Sequence, residues 1–149
     1  MWISEIAERA IMQAMGAMDV SFRASRVDNE PASPTERKEY PSVVIMAASG
    51  SKDTTEDLFF EIPVTVSIIT HYEDDPKRAT LKGLEDTFMK VLELPIASST
   101  IRTAYNSIAS TAGESRYLKG LTNIDSSPIE ITDKTQTITI TMTLHSCGS

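Results

Sequence analysis

The stretch from Leu58 to Leu94 constrains the fold most, because two periodicities meet there across a sharp boundary. In LFFEIPVTVSIITHY, the apolar Phe60, Ile62, Val64, Val66 and Ile68 alternate with Glu61, Pro63, Thr65 and Ser67, the period of a half-buried strand. In EDDPKRATLKGLEDTFMKVLEL the period changes: Leu81, Leu84, Phe88, Val91 and Leu92 make the stripe of an amphipathic helix. Asp75 suits the N-cap, Pro76 the first helical position, and Pro95 forbids continuation. A long strand thus feeds into a helix that packs back on it. Pro63 has no N–H to donate, so that strand is either an edge at this point or adjoins a bulge.

The chain ends in a second unambiguous strand. In TQTITITMTLHS, Ile138, Ile140, Met142 and Leu144 take one face and Thr137, Thr139, Thr141 and Thr143 the other. Thr135 to Ser146 carries no charge, Gly or Pro, so as an uncovered edge it would template aggregation. Either it lies inside its own sheet or a neighbouring subunit pairs with it. Thr139 and Thr141 are therefore candidate interface residues.

Elsewhere, Ser4 to Met18 has the spacing of an amphipathic helix, and Asp19 to Ala24 alternates like a short strand. Ser25 to Glu39 has prolines and charges without apolar period and reads as an exposed loop. YPSVVIMAA, from Tyr40 to Ala48, is apolar on both parities, as in a central strand covered on both faces. Ser49 to Asp57 then makes a polar hairpin loop, where Lys52, Asp53, Glu56 and Asp57 are further interface candidates. Ala97 to Ala112, rich in Ser and Thr, reads as a short, poorly formed helix closed by Gly113. Tyr117 to Asp125 and Ile129 to Thr132 read as strands. The sum is a single α+β domain: a mostly antiparallel mixed sheet of four to six strands, with two or three helices packed on one face.

With 149 residues the chain can bury roughly two thirds of its unfolded surface without disulfides or metals. Its 14 basic and 21 acidic residues give a net charge of −7, and the basic ones occur as scattered pairs, so a dedicated nucleic-acid binder is not expected. The single cysteine, Cys147, excludes an intramolecular disulfide, and no secretory signal or membrane span is read from the sequence; a cytoplasmic, soluble chain is expected.

Chemistry is sparse. No Walker loop, GxGxxG, GxSxG or HExxH occurs. His71 and His145 end strands without companions at metal-ligand spacing, and Glu73, Asp74 and Asp75 suit a helix start better than a calcium loop. Met46, Met89 and Met142 are expected on inner faces as core fillers. Trp2 either tucks against the core or meets a partner. No cofactor or catalytic residue is expected, and an enzyme ranks below a binding or structural role.

The order of elements resembles a known family. An N-terminal helix, the aromatic-Pro-apolar strand of Tyr40, Pro41, Val43, Val44 and Ile45, a polar loop, a long strand ending in acids, the helix in PKRATLKGLEDTFMKVLE and a terminal apolar strand are similar to the tail terminator, or tail completion, proteins of tailed bacteriophages. The resemblance implies a structural virion protein without enzymatic activity. It implies a hexameric ring that caps the tail tube, meets a neck or head-completion protein, and lets DNA pass without specific binding. Assembly in the host cytoplasm follows from the same resemblance. Two other readings stand beside it: another phage neck or tail-tube ring subunit, and a ferredoxin-like domain that binds a small ligand.

Overall fold

The computed structural model describes residues 3–18, 26–28, 41–48, 51–52, 59–73, 75–132 and 134–148. In chain order these form α1 (Ile3–Met18), β1 (Arg26–Asp28), β2 (Ser42–Ala47), β3 (Ser51–Lys52), β4 (Phe59–His71), α2 (Ala79–Leu92), a 3₁₀ turn (Ile96–Ser98), α3 (Thr100–Thr111), β5 (Arg116–Ser126), β6 (Glu130–Thr132) and β7 (Thr135–Gly148). The strands make one sheet in the order β1-β2-β4-β7-β5, with β3 on β4 and β6 on β7. Among the described strands β1 and β2 pair in parallel and the other pairs are antiparallel. The α+β architecture expected from the sequence is the one observed.

β4 and β7 are the centre of the sheet. All 13 residues of β4 pair with β7, from Phe59 opposite Cys147 to His71 opposite Thr135. Along both strands alternate residues point inward, so Ile62, Val64, Val66 and Ile68 meet Leu144, Met142, Ile140 and Ile138 in matched rows. Val43 and Ile45 of β2 extend two of these rows. The uncharged terminal strand is thus flanked on both sides, by β4 on one and by β5 and β6 on the other. Of the two possibilities left open by its composition, it takes the interior place. The β5 edge carries two register shifts, between Leu118 and Gly120 and between Thr122 and Asp125, which kink it and spoil it as a pairing template.

Pro63 finds its place opposite an interruption. Ala48 N–H donates to Pro63 O at 2.9 Å, and the position that lacks a donor faces the break between β2 and β3. From Ala47↔Val64 to Ser51↔Glu61 the chain advances four residues on one side and three on the other. Lys52 then pairs with Phe60. The hairpin expected over Ser49 to Asp57 is therefore partly sheet at its start, while Asp53, Glu56 and Asp57 lie outside the described residues.

The helices occupy one face. α2 buries Leu81, Leu84, Phe88 and Leu92, each such side chain contributing about 1.5–3 kcal/mol by removal from water. α1 buries Ile3, Ile6, Ala7, Ala10, Ile11, Ala14 and Met15 in the same core. The α2 cap differs from the expected one. The helix starts at Ala79, and the cap position is Arg78, held in the left-handed region at φ 60°. Asp75 still caps, from further back: its two carboxylate oxygens accept the N–H groups of Thr80 (3.1 Å) and Leu81 (2.9 Å). Pro76 sits in the intervening turn, not at the first helical position.

α3 is a regular helix of 12 residues, not the poorly formed one its composition suggested. Ser99 Oγ accepts from Arg102 N at its start, and Ile101, Ala104, Tyr105 and Ala109 are buried. Gly113, at φ 78°, ends it: Gly113 N–H donates to Ser110 O and Glu114 N–H to Ala109 O, a Schellman motif.

Two other expectations need correction. The loop read over Ser25 to Glu39 contains β1, whose three residues pair in parallel with Ser42, Val43 and Val44; three residues are too few to display a period. Met46 is not a core filler but 48% exposed on the face away from the helices. In a segment apolar on both parities, sequence cannot say which parity is inner. The strand expected over Asp19 to Ala24, and Trp2, lie outside the described residues.

Candidate functional site

Inward residues of β4 and β7 meet the helices, so the intervening residues define a second sheet face. The core cluster draws no residue from the odd-numbered positions of β4 and β7, and among the described residues no helix packs there. Cross-strand rows on this face are Ser42–Ile69–Thr137, Val44–Ser67–Thr139, Met46–Thr65–Thr141 and Glu61–His145–Gly120. Across β2, β4 and β7 the middle rows carry no charge, and they end on Asp125 of β5, opposite Thr141, and Glu130 of β6, opposite Thr137.

Burial along this face is uneven. Ser42 is 1% exposed and Val44 6%, whereas Met46, Glu61, Pro63, Thr122 and Thr141 are exposed. The accessible part is therefore the end nearer the β3 hairpin. Thr141 stands within it, opposite Thr65 and Asp125; Thr139, half-buried, lies toward the covered end and is fixed by a backbone exchange in which Ser127 N–H donates to Thr139 O and Thr139 N–H to Ser127 Oγ. Lys52 is not beside them. It pairs with Phe60, whereas Thr141 pairs with Thr65, five positions or about 17 Å along β4.

The same end gathers groups that sequence spacing did not associate. His145 Nε2 lies 2.6 Å from Thr122 Oγ1, and its Nδ1 lies 4.0 Å from Glu61 Oε1. The Phe59 ring tilts against His145, with centroids 6.0 Å apart, and the Lys119 ammonium lies 5.1 Å from the Phe59 ring centre. One strand position away, on the helix side, Arg116 stacks over Phe60 at 4.8 Å, and Tyr105 Oη and Ser146 Oγ share a 2.6 Å hydrogen bond. Burial pushes the Tyr105 phenol above its usual range, against the opposing pull of the Ser146 hydrogen bond and the Arg116 charge. The alternation of β7 put His145 on the threonine face, but its contact with Thr122 depends on the β5 bulges and had no sequence signal.

No protein-family model matches the chain, and no curated protein matches it.

Other features bound what the surface can do. Among the described residues no group of three or more His, Cys, Asp or Glu side chains is placed to hold a metal ion. His71 Nδ1 accepts from Glu73 N–H at 3.2 Å, a local turn contact. Cys147 is buried beside Phe59 in the ladder. Among the described residues no helix is long and apolar enough to cross a membrane. An open groove between α1 and α3 is lined by Arg9, Gln13, Ser107, Ile108, Thr111 and Ala112.

Proposed function

We propose that this chain is a structural subunit that assembles with copies of itself into a ring of the tail terminator kind, capping a tail tube and joining it to a neck or head-completion protein. What carries the reading is the division of the sheet into a helix-packed face and a second face whose exposed part, around Met46, Pro63 and Thr141, carries no charge on β2 or β7 and has its nearest charges, Glu61 and Asp125, at its margin, in a chain that is 23% charged. Depletion of charge at the centre with charged groups at the margin is the composition of subunit interfaces. Glu61, His145 and Lys119 supply such a margin. The resemblance in element order adds the ring geometry and the virion setting. The net charge of −7 suits a channel through which DNA slides without sticking.

Native mass spectrometry over a concentration series, followed by negative-stain imaging, tests this. A closed ring, hexameric on the family resemblance, is the expected outcome. A strict monomer both alone and with tail tubes overturns it. The groove between α1 and α3, with Arg9 and Gln13 on its wall, favours the competing reading of a small-ligand domain. A thermal-shift response to an anionic metabolite, lost in Arg9→Ala, would select that alternative.

A further inference from the structure

Three strands bring a hydroxyl, an imidazole and a carboxylate into one chain on the exposed end of the open face. Glu61 and His145 are directly opposite each other on β4 and β7, and Thr122 of β5, opposite Thr143, reaches His145 diagonally. Glu61 Oε1 lies 4.0 Å from Nδ1, too far for a direct hydrogen bond, and acts on the ring through its charge, which favours a proton on Nδ1. That leaves the Nε2 lone pair to accept the Thr122 O–H across 2.6 Å. A hydroxyl held by a base, whose far nitrogen faces an acid, is the arrangement of an activated nucleophile.

Two independent features single out Thr122. The β5 ladder slips between Thr122 and Asp125, and Asn123, the next residue, is in the left-handed region at φ 55°. Bulges and positive-φ residues re-aim side chains and concentrate where strain serves a function. Thr122 is also exposed, whereas the His145 side chain keeps only 18% of its surface, seated against Phe59. The nucleophile is reachable while its base is sheltered.

We propose that Thr122 is the nucleophile of an acyl-transfer site that accepts small acyl groups from activated esters or thioesters. Thr122 Oγ attacks the carbonyl carbon as its proton passes to His145 Nε2, and the Glu61 charge steadies the imidazolium. The bond from the carbonyl carbon to the leaving oxygen or sulfur then breaks with its electron pair, and the leaving group takes the proton from Nε2. The products are an acyl ester of Thr122 and a free alcohol or thiol. Water, deprotonated by the same imidazole, can hydrolyse the ester and restore Thr122. Thr122 and His145 are the catalytic residues and Glu61 is a positioning residue. Thr122 shares the Pro63–Thr143 row of the proposed subunit interface, so this activity belongs to the unassembled chain.

The test is incubation of the full chain with p-nitrophenyl acetate, reading nitrophenolate release and locating the adduct by peptide mass spectrometry. Acetylation at Thr122 is expected, faster in Thr122→Ser and absent in Thr122→Ala. His145→Gln should slow labelling by about 100-fold or more, the usual contribution of a general base. Glu61→Gln should slow it too, with Glu61→Asp restoring part of the rate, a rescue that a packing role would not give. Circular dichroism checks that each variant is folded, and His145→Asn replaces His145→Gln if the latter is not. Labelling confined to lysines in the wild type, or a Thr122 rate unchanged in folded His145 variants, overturns the proposal.

Discussion

Gln136 Nε2 donates to Asp75 O at 2.8 Å across a sequence separation of 61 residues, joining the start of β7 to the turn that caps α2. Its other carboxamide atom, Oε1, accepts from Arg78 Nε at 2.7 Å. Gln136 is fully buried and occupies the inward parity otherwise held by Ile138, Ile140, Met142 and Leu144. A polar residue at a core position is tolerated because both ends of its amide are paired. The strand, the cap and the first turn of the helix are thereby one hydrogen-bonded unit.

Gln136→Leu should therefore be destabilising despite its better hydrophobic match. It strips Asp75 O and the Arg78 guanidinium of a partner, a cost of about 1–3 kcal/mol. Urea unfolding followed by circular dichroism measures it. A variant as stable as the wild type would mean that water replaces the amide without loss.

Arg78 offers a way to separate backbone from side chain. Its left-handed conformation at φ 60° is costly for a residue with a Cβ and free for glycine. Arg78→Ala loses the bond to Gln136 and keeps the strain; Arg78→Gly loses the bond and relieves it. The glycine variant should be the more stable of the two by about 1 kcal/mol, and equal midpoints would show that the turn is not strained.

How much of this could be read in the chain depended on the length over which a pattern ran. The alternation in β4 and β7 and the stripes of α1 and α2 persist for many residues, so the type and inner face of these elements follow from sequence, whereas the pairing of β4 with β7 does not. Composition points to Asp75 as the N-cap, whereas Arg78 holds that position and Asp75 reaches over Pro76 and Lys77 to accept from Thr80 and Leu81, which belongs to the turn geometry. Serine and threonine lower the intrinsic helicity of α3, and Tyr105 with its buried neighbours supplies the stability through packing, which composition does not show. β1 was too short to read. On the open face, Thr139 and Thr141 are legible from alternation, while nothing in the doubly apolar β2 segment tells that Met46 faces outward. The Thr122–His145 contact arises from bulges that slip the β5 register, which no periodicity encodes.

Assembly is expected to depend on the neutral part of the open face. Thr141→Glu places a charge among Met46, Pro63 and Thr65 without touching the core. In size-exclusion chromatography with light scattering it should shift the population toward the monomer, while the unfolding free energy of the monomer stays within about 0.5 kcal/mol of the wild type. Thr139→Glu should act in the same direction with some loss of monomer stability, because Thr139 is half-buried. Unchanged assembled mass in both variants would remove this face from the interface.

Tyr105 predicts how stability responds to alkali. Its hydroxyl is buried against Ser146, and burial raises its pKa above the ordinary phenol value of 10.0. Above about pH 10 the unfolded chain gives up this proton while the folded one retains it, so the unfolded state binds fewer protons and stability falls as pH rises toward the folded-state value. Below that window the contribution is constant. Tyr105→Phe removes both the titration and the hydrogen bond, the latter costing about 0.5–1.5 kcal/mol at neutral pH. The gap between wild type and Tyr105→Phe should thus be largest at neutral pH and narrow above about pH 10, since other titrating groups are common to both. Urea midpoints for the pair across that range measure it, and a gap independent of pH would show that the phenol titrates alike in both states.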